Sequence, residues 1–334
     1  MVANLCEYDW GCRSFLSSFI PEGETKPKFY GRFNIGVQSI NLPDVALTSG
    51  GDKDKFFKIL DDRMENLIKP ACDFRYEKLK DTKASCNPLM WQYGVFARLN
   101  PDDNIYDILD KVGCTVSVGY NGIYEVCKYM TGESHTQPKG FEFAEKVMKF
   151  MDNKTKEWKR QNGRGYSIYQ LPQEESTDWY VNKLKKKWGI VKDITDKGFI
   201  TNSTHVDVRE NIDAFTKLSV EGALQKYTLG GTCAYIESGD MTNNIEALYE
   251  VIKHIYNTNI HAEINNQDCC ECFNCGYEGK MDYDNKTLEF VCPSCGNKDL
   301  NKMSIVVRIC GYLSNKGSYV AGRMRDVINR VRHI

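Results

Sequence analysis

The sequence lacks an excess charge of either sign, a long apolar run and an internal repeat. Its 334 residues include 44 basic and 45 acidic side chains, which gives a formal net charge of −1. No overall field therefore draws the protein to nucleic acid or to a membrane surface. No segment approaches the roughly 18 consecutive apolar residues of a membrane-spanning helix, and the first residues lack the basic and apolar regions of a secretory signal. We therefore expect a cytoplasmic protein that contacts neither membrane nor nucleic acid directly.

What the sequence has in unusual number is cysteine. There are fourteen cysteines, and without a secretory signal they favour metal ligands or thiol chemistry over disulfides. Seven of them lie between Cys269 and Cys310, whereas the others are scattered through the first 233 residues. A scattered cysteine usually packs as a small apolar residue, so the cluster is the feature that needs a chemical explanation.

The pattern of apolar residues predicts an α/β protein. With 41% apolar and 27% charged residues the composition is that of a globular protein, and the length allows about two domains. Helical spacing of apolar residues predicts helices over 52–69, 104–112, 122–130, 141–160, 177–188, 211–218 and 244–256. Strands are predicted over 31–42, 115–120, 167–171, 198–203 and 260–264, with extended chain over 226–236. Short strands that alternate with helices are typical of βαβ units on a largely parallel sheet.

A metal site is predicted near the carboxyl end. Two Cys-x₂-Cys pairs separated by sixteen residues have the spacing of four thiolates around one Zn²⁺. The predicted ligands are Cys272, Cys275, Cys292 and Cys295. Each pair is followed by a glycine, Gly276 or Gly296, which tolerates the positive φ that turns the backbone over the metal. A closed site of four cysteines has no open position, so we expect a structural zinc ion.

Other interpretations of these cysteines stay open. Each pair has the form of a redox Cys-x-x-Cys motif, and four cysteines can also hold an iron–sulfur cluster. Cys269 and Cys270 lie just outside the pattern, and either could replace Cys272 as a ligand. A zinc ribbon also suggests nucleic-acid binding, but no basic or aromatic cluster accompanies this one. We therefore interpret the ribbon as a scaffold for the segment that follows it.

That following segment carries the most specific motif in the sequence. RICGYL (308–313) places Gly311 behind the metal-binding pattern and resembles the glycyl radical loop of the anaerobic (class III) ribonucleotide reductases. GCRSFLS (11–17) and GRFNIGVQSINLPDVAL (31–47) are similar to that family's finger loop and the strand after it. Further segments resemble the same enzymes in the same order, namely GYNGIYEVCKYMTGE (119–133), FITNSTHVDV (199–208) and TLGGTCAYIE (228–237). The resemblance therefore extends over nearly the whole chain.

The resemblance implies a radical enzyme that reduces ribonucleoside triphosphates to deoxyribonucleoside triphosphates without oxygen. Gly311 would store a glycyl radical, because only glycine lets the α-carbon flatten without steric strain. Cys12 would carry the thiyl radical that takes the 3′-hydrogen of the ribose. In this family formate is the usual reductant, and a radical-SAM enzyme installs the glycyl radical. The zinc ribbon would hold the Gly311 loop within reach of Cys12.

The resemblance also implies substrate contacts. Asn34 is similar to an asparagine close to formate or substrate, and the alternative is a loop side chain that caps its own backbone. Gly230 and Gly231 could present backbone N–H groups to substrate phosphates. His205 either lines the site or is a hydrogen-bonded structural histidine, and the second interpretation is favoured. The run QLPQEES (170–176) departs from the family's Thr-Pro-Ala-Glu-Ser run, so phosphate contacts in that loop are left open.

Enzymes of this family are much longer than this chain, so the resemblance implies half of a ten-stranded α/β glycyl-radical-type barrel. We predict four parts: the finger loop and following strand (1–48), an α/β half-barrel (49–264), the zinc ribbon (265–300), and the glycyl radical loop with a C-terminal helix (301–334). The expected partners are a separate amino-terminal half and the activating enzyme. The alternatives are an inactive fragment and another glycyl radical enzyme.

Overall fold

The computed structural model describes most of the chain as folded α/β structure. The described residues are 25–26, 33–112, 114–172, 176–238, 241–258, 260–265, 270–284, 287, 289–309, 311–315 and 320–333. The predicted finger loop with Cys12, and the spare cysteine Cys269, lie outside these residues. Within the described ranges, no helix is both long and apolar enough to cross a membrane.

Helices and longer strands make up the chain as far as Asn265, and short strands follow. The helices are α1 (Leu42–Ser49), α2 (Lys53–Arg63), α3 (Lys69–Lys80), α4 (Pro88–Trp91), α5 (Tyr106–Val112), α6 (Ile123–Thr131), α7 (Pro138–Asn162), α8 (Ser176–Trp188), α9 (Ala214–Gln225), α10 (Ile245–Thr258) and α11 (Ala321–Ile328). The strands are β1 (Asn34–Asn41), β2 (Thr115–Asn121), β3 (Gly165–Tyr169), β4 (Ala234–Glu237), β5 (Ala262–Asn265), β6 (Glu271–Cys272), β7 (Tyr277–Glu278), β8 (Asp282–Asp284), β9 (Glu289–Val291), β10 (Met303–Ser304), β11 (Val306–Arg308) and β12 (Leu313–Asn315). Each predicted helix is present, although several extend beyond their predicted ends.

The first sheet is parallel and has the strand order β1-β2-β3. A parallel sheet needs cover on both faces, and helices α1, α3 and α7 contact its strands. The central strand β2 is buried from Val116 to Asn121. The largest core cluster packs around it and includes Phe56, Tyr120 and Trp158. The predicted parallel arrangement is therefore confirmed for these strands.

Helices α2 and α3 run on from one another through a π-helical turn, Met64–Ile68. Asp52 begins this helical segment by accepting a hydrogen bond from the N–H of Lys55 at 2.9 Å. A proline inside an α-helix frees a carbonyl group and crowds the preceding turn. The wider π turn lies directly before Pro70 and accommodates both effects, so the helix predicted over 52–69 continues to Lys80.

The strand predicted over 198–203 is wrong, because this segment consists of turns and bends. Its carbonyl groups accept hydrogen bonds from the start of α6. The N–H of Gly122 donates to Thr201 O at 3.0 Å, and the N–H of Ile123 donates to Ser203 O at 3.1 Å. The first N–H groups of a helix have no partner within the helix, and this segment supplies one. Carbonyls used in this way are not available to a strand ladder.

Lys197 lies buried beside the same segment and is surrounded by carboxylates and rings. Its ammonium group lies 2.6 Å from Glu125 and also contacts Asp207. The rings of Tyr124 and Phe199 have their centroids 4.6 and 4.5 Å from the ammonium nitrogen. Burial raises the pKa of Asp207, but the charge of Lys197 outweighs this effect and lowers the pKa below its usual range, so the carboxyl group stays ionised. This buried pairing fixes the segment that leads to His205.

The second sheet is a parallel pair of β4 and β5, and it packs with α9 and α10 in one core cluster. The loop before β4 is hydrogen-bonded to the end of β3. The N–H of Gly230 donates to Ile168 O at 2.7 Å, and the N–H of Gln170 donates to Gly231 O at 2.9 Å. The α/β class is confirmed, whereas closure into half of a ten-stranded barrel stays a prediction.

The carboxyl-terminal part consists of short antiparallel strands and one helix. β6 pairs with β7 and β10, β8 pairs with β9, and β11 forms a hairpin with β12. One core cluster joins these elements to α11, and its buried members are Cys270, Cys272, Met281, Phe290, Cys292, Met303, Ile305, Val307 and Val327. The cysteine ribbon, the hairpin and the last helix therefore pack as one unit. The four domain limits stay predictions.

Candidate functional site

The four predicted metal ligands come together at one end of the ribbon. Their sulfur atoms all lie within 4.8 Å of one another. The Sγ atoms of Cys272 and Cys295 are 3.7 Å apart, and those of Cys275 and Cys292 are 3.6 Å apart. Tetrahedral coordination with Zn–S bonds of about 2.3 Å requires sulfur atoms about 3.8 Å apart. The group therefore has the dimensions of a single zinc site.

Each Cys-x₂-Cys pair forms a tight turn that closes on a glycine. The N–H of Gly276 donates to Cys272 O at 2.8 Å, and the N–H of Gly296 donates to Cys292 O at 2.9 Å. Both glycines have left-handed φ values, 72° and 71°, as predicted from their positions. Cys270 donates from Sγ to Val306 O at 3.5 Å and lies outside the four-sulfur group.

Polar groups around Cys272 and Cys295 lower the pKa of both thiols and so favour the thiolate, which is the form that binds metal. The backbone N–H of Asn297 and the side-chain amide of Asn274 lower the pKa of Cys295 to about 6. The Asn274 amide lies 3.7 Å from that sulfur atom. The side-chain amide of Asn297 lies at the same distance, 3.7 Å, from Cys272 Sγ. The N–H of Tyr277 lowers the pKa of Cys275, but burial and the neighbouring cysteine sulfur atoms outweigh it and raise that pKa to about 11.

The hairpin of β11 and β12 carries Gly311 in its turn. The N–H of Ile309 donates to Tyr312 O at 2.9 Å, which closes the turn, and Gly311 is half-buried. The side chains of Ile309 and Tyr312 pack against Cys233 and Tyr235 at the start of β4. The predicted radical position therefore lies at a hairpin turn that contacts the α/β body.

Arg308 attaches the base of this hairpin to the body. Its Nε donates to Glu237 Oε1 at 3.0 Å, and its Nη2 donates to the same oxygen. Its guanidinium group lies over the ring of Tyr235, 4.4 Å from the centroid. Burial raises the pKa of Glu237, but the charges of Arg308 and Arg330 outweigh burial and hold it well below its usual range. The contact is therefore a charge-assisted pair.

Arg330 holds the same base from the carboxyl-terminal side. Its Nη1 donates to Arg308 O at 2.6 Å, and its Nη2 donates to Ile309 O at 3.1 Å and to Asp326 Oδ1 at 2.8 Å. Asp326 also accepts from Arg323 at 3.2 Å. The last residues are tied to the body by the N–H of His333, which donates to Glu237 O at 2.8 Å. The hairpin is therefore braced between β4 and the end of the chain.

A cavity of about 510 Å³, partly open to solvent, lies between the body and this carboxyl-terminal segment. Cationic side chains outnumber carboxylates in its wall. The charged and titratable residues of the wall are Lys217, Arg308, Arg323, Arg330, Glu237, Asp326, His205 and His333. A concave wall with several convergent polar groups is typical of a site for a polar ligand.

His205 both lines this cavity and makes structural hydrogen bonds. Its Nδ1 lies 3.1 Å from Glu221 Oε2, and its Nε2 lies 3.4 Å from the side-chain amide of Gln170. Burial lowers the pKa of His205, although Glu221 opposes this, so the ring is held neutral. Gln170, in the run that departs from the family pattern, also accepts from the N–H of Cys233 at 2.9 Å. It therefore joins the end of β3 to the start of β4.

Asn34 belongs to a polar row that crosses the first sheet. Its Nδ2 donates to Ser117 Oγ at 3.0 Å, and Ser117 Oγ lies 3.3 Å from Ser167 Oγ. Its Oδ1 accepts from the N–H of Gly36 at 3.1 Å, so the backbone-capping alternative also describes it. Gly230 lies against the same row, where a Cβ would be 2.9 Å from Ser117 Oγ and 2.8 Å from Ser167 Oγ. The structure thus brings two predicted substrate contacts together.

The N–H groups of the glycine pair are used within the protein. The N–H of Gly230 donates to Ile168 O at 2.7 Å, and the N–H of Gly231 donates to Thr228 O at 3.0 Å. A phosphate on these N–H groups would have to displace both carbonyls. Gly230 and Gly231 have no side chains, so a ligand can approach the backbone closely at these positions. This role fits the arrangement better than hydrogen bonds from their N–H groups.

Glu237, Arg330 and Asp326 were not predicted as functional residues. The sequence does contain a pattern that indicates two of them. Asp326 and Arg330 have the i, i+4 spacing of a helical ion pair, and they form one in the structure. No local pattern links Arg330 to the carbonyl groups of the Gly311 hairpin. That contact depends on how the carboxyl-terminal segment folds back.

The fold described above is shared with solved structures of anaerobic ribonucleotide reductases. A solved structure named anaerobic ribonucleotide reductase superposes with a TM-score of 0.67 at 21% identity, covering 92% of this chain and 46% of that chain. The anaerobic ribonucleotide reductase of Thermotoga maritima, solved with glycerol in its active site, superposes with a TM-score of 0.64 at 21% identity, over 94% of this chain and 47% of its own. These similarities show the fold.

Sequence comparison identifies the family. The family model described as anaerobic ribonucleoside-triphosphate reductase matches residues 4–333, and the chain belongs to this family. The anaerobic ribonucleoside-triphosphate reductase of Escherichia coli K12 is 33% identical over 97% of this chain and 46% of its own length. The corresponding enzyme of bacteriophage T4 is 33% identical over 97% of this chain and 52% of its own length. The chain therefore spans about half the length of the curated relatives it matches.

Proposed function

We propose that this chain carries the radical-storing part of an anaerobic reductase that converts ribonucleoside triphosphates to deoxyribonucleoside triphosphates. The observation that carries the proposal is the position of Gly311. It lies at the turn of a hairpin that shares a core with the cysteine ribbon and contacts the α/β body through Arg308 and Glu237. A residue that stores an unpaired electron needs such a defined position, and family membership supports the same role.

The chemistry begins with hydrogen-atom transfers. The Gly311 radical takes the hydrogen atom of the Cys12 thiol and leaves a thiyl radical. The thiyl then takes the 3′-hydrogen of the ribose, and the 2′-hydroxyl leaves as water. Formate supplies two electrons as it becomes carbon dioxide, with one proton taken up, and the 3′-hydrogen returns from the thiol. One nucleotide, one formate and one proton thus give one deoxynucleotide, one carbon dioxide and one water.

The metal has a structural role in this proposal. Cys272, Cys275, Cys292 and Cys295 would hold one Zn²⁺, for which their spacing is suitable. When bound, the ion contributes folding energy and no reaction chemistry, because a closed site of four thiolates offers no place for substrate. The ribbon residues themselves pack against β11, and this contact fixes the direction of the hairpin.

Substrate contact is proposed for three positions. Asn34 offers a side-chain amide at the end of a row of hydroxyl groups. Gly230 and Gly231 allow a ligand to approach the backbone closely, since neither has a side chain. We expect these residues to orient the nucleotide.

Activity in this proposal requires further polypeptide. The chain corresponds to about half of its relatives, so we propose that it acts in the cytoplasm with an amino-terminal half that completes a ten-stranded barrel. A radical-SAM activating enzyme would remove the hydrogen atom from Gly311. Without these partners the chain would bind zinc but would not turn over substrate.

The test is anaerobic activation of the zinc-loaded chain with the activating enzyme and the amino-terminal half. An EPR doublet should appear, and air should then cleave the chain at Gly311 and release the 23 residues that follow (334 − 311). The Gly311→Ala variant should lose both signals and keep its zinc. An intact chain with no doublet would contradict the proposal.

Product analysis separates the reductase from the alternatives. Formate-dependent formation of deoxyribonucleoside triphosphate supports the reductase. A doublet without that product indicates another glycyl radical enzyme, and absence of both indicates an inactive fragment. Cys12→Ser should retain the doublet and lose the product, because it removes only the second hydrogen-atom transfer.

A further inference from the structure

Helix α10 (Ile245–Thr258) has three different faces rather than two. With about 100° of rotation per residue, Val251 and Ile255 share the face that packs into the core of the second sheet. Glu246, Glu250, Lys253 and Asn257 form a polar face. The third face is apolar and consists of Ile245, Tyr249, Ile252 and Tyr256, which we call the α10 stripe.

The α10 stripe is exposed along its whole length. The exposed fractions of its four side chains are 67%, 62%, 50% and 60% in chain order. A helix on a protein surface normally has polar residues outside its core face, and a contiguous exposed apolar patch marks an interaction surface more often than isolated apolar residues do. The same helix has a fully polar face that is suited to contact with water. The exposed α10 stripe is not, and this difference marks the stripe as the face that a partner covers.

The direction of the stripe is fixed by the neighbouring helix. His254 contacts α9, where its Nε2 lies 3.1 Å from Ser219 Oγ and its ring lies 5.3 Å from that of Phe215. Residues 252 and 256 lie on the opposite side of α10 from His254, since two residues correspond to about 200° of rotation. The stripe therefore faces away from α9, along the helical layer.

The sheet against which α10 packs has two strands within the described residues. α10 leads into β5, and β5 pairs there with β4 on one side. In α/β proteins helices cover the sheet side by side, so a helix in contact with the stripe would belong to the next part of the layer. This chain spans only about half the length of its relatives, and the other half is the source of such a helix.

From these observations we infer that the α10 stripe is a docking surface for a helix of the amino-terminal half of the reductase. The inference rests on the proposed function, because it takes its occupant from the same enzyme. Ile and Tyr anchors at i, i+4, i+7 and i+11 suit the side of a packed helix. Four side chains alone fall short of the roughly 800 Å² per partner that a stable dimer buries. An interface between this chain and the amino-terminal half would include further residues beside the stripe.

The test uses this chain and the polypeptide of its own genome that matches the part of the relatives that this chain does not cover. Binding is measured by titration calorimetry for the unaltered chain, for Ile252→Glu and for Tyr256→Glu. Each variant should raise Kd at least tenfold. Asn257→Glu is the matched control, because it adds the same charge at the adjacent position on the polar face, and its Kd should stay within twofold. Zinc content and the thermal midpoint check that each variant is folded.

A photo-reactive phenylalanine analogue at position 249 identifies the occupant. Cross-linking to the amino-terminal half supports the inference, whereas cross-linking to a second copy of this chain overturns it. Equal Kd values for Ile252→Glu and Asn257→Glu also overturn it. The glycyl radical doublet of the unaltered complex is recorded in parallel. If the doublet forms while the stripe variants bind normally, the docking inference alone fails; if binding weakens as expected and no doublet forms, the proposed function alone fails.

Discussion

Arg330 donates hydrogen bonds to the carbonyl oxygens of Arg308 and Ile309, at 2.6 and 3.1 Å. These carbonyls belong to the base of the hairpin whose turn contains Gly311. A side chain from the last residues of the chain therefore sets the position of a backbone segment just before the proposed radical site. Because a guanidinium group is planar and always charged, it holds both oxygens in one orientation.

Replacement of Arg330 by alanine should loosen this hairpin. Hydrogen bonds to a charged group contribute about 1.5–3 kcal/mol, and the variant also leaves Asp326 with one cation fewer. Hydrogen exchange measured by mass spectrometry should become faster over 306–315, while zinc content stays the same. Arg332→Ala is the control, since Arg332 is an exposed arginine of the same segment. Equal exchange in both variants would show that Arg330 does not brace the hairpin.

Loss of one metal ligand should loosen the same hairpin from the other side. Cys292→Ser removes one of four thiolates, and structural zinc sites contribute about 10–16 kcal/mol of binding energy to folding. Because Cys292 shares a core cluster with Val307 of β11, metal loss should increase hydrogen exchange in the hairpin. Zinc measured by atomic absorption should fall from one equivalent to none. Cys86→Ser, at an exposed cysteine outside the ribbon, should retain the metal.

A cysteine variant that kept its zinc would contradict the assignment of these ligands. A variant that lost zinc and kept slow hydrogen exchange in the hairpin would show that the metal is not needed to hold the hairpin in place. The two results are distinguishable because zinc content and exchange are measured on the same sample.

Folding stability should fall on mild acidification because of His135. Its Nε2 lies 3.1 Å from Thr204 O, and its Nδ1 has no hydrogen-bond partner within the described residues. Burial lowers the pKa of His135 from 6.5 to about 4, since a proton on Nδ1 would find no acceptor. Between these pH values His135 is protonated in the unfolded chain and neutral in the folded chain. The free energy of unfolding therefore decreases by about 3 kcal/mol as pH falls through this window.

The His135→Gln variant tests this dependence. Unfolding by urea at pH 7 and pH 4.5 should show a smaller difference in free energy for the variant than for the unaltered chain. His254→Gln, on the partly exposed side of α10, is the control and should keep the full difference. A His135 variant with an unchanged pH dependence would mean that other groups cause it.

Gly230→Ala should destabilise the protein and disturb the polar row. The added Cβ would lie 2.6 Å from Ile168 O and within 2.9 Å of the hydroxyl groups of Ser117 and Ser167. The closest atom is a backbone oxygen of β3 that cannot turn aside, so we expect a loss of about 1–3 kcal/mol in urea unfolding. Gly222→Ala is the control, because its nearest contact is the flexible end of Ile260 at 3.3 Å. Equal midpoints for both variants would contradict the close packing.

Local patterns were sufficient for helices α2 and α5 to α10 and for the metal group, but they did not predict α1 or α4. Apolar spacing predicted α7 and α10, because a helix that packs on a sheet must repeat its apolar residues every three to four positions. The Cys-x₂-Cys spacing predicted the four-sulfur group, since two such turns each present two sulfur atoms to one point. The strand predicted over 198–203 is wrong because its carbonyl groups cap α6, and alternation of residue types does not reveal a distant helix that needs acceptors.

The sequence by itself determined the α/β class, the zinc-sized cysteine group and Gly311 as the residue to examine, because each depends on residues close together in the chain. The tertiary structure decided which distant groups support them. Glu237 and Arg330 meet at the hairpin base, and Asn34 meets Gly230 through Ser117. Such pairings depend on chain reversal and on the register of parallel strands, which no local repeat encodes, and burial then makes each charge or hydroxyl group require a partner.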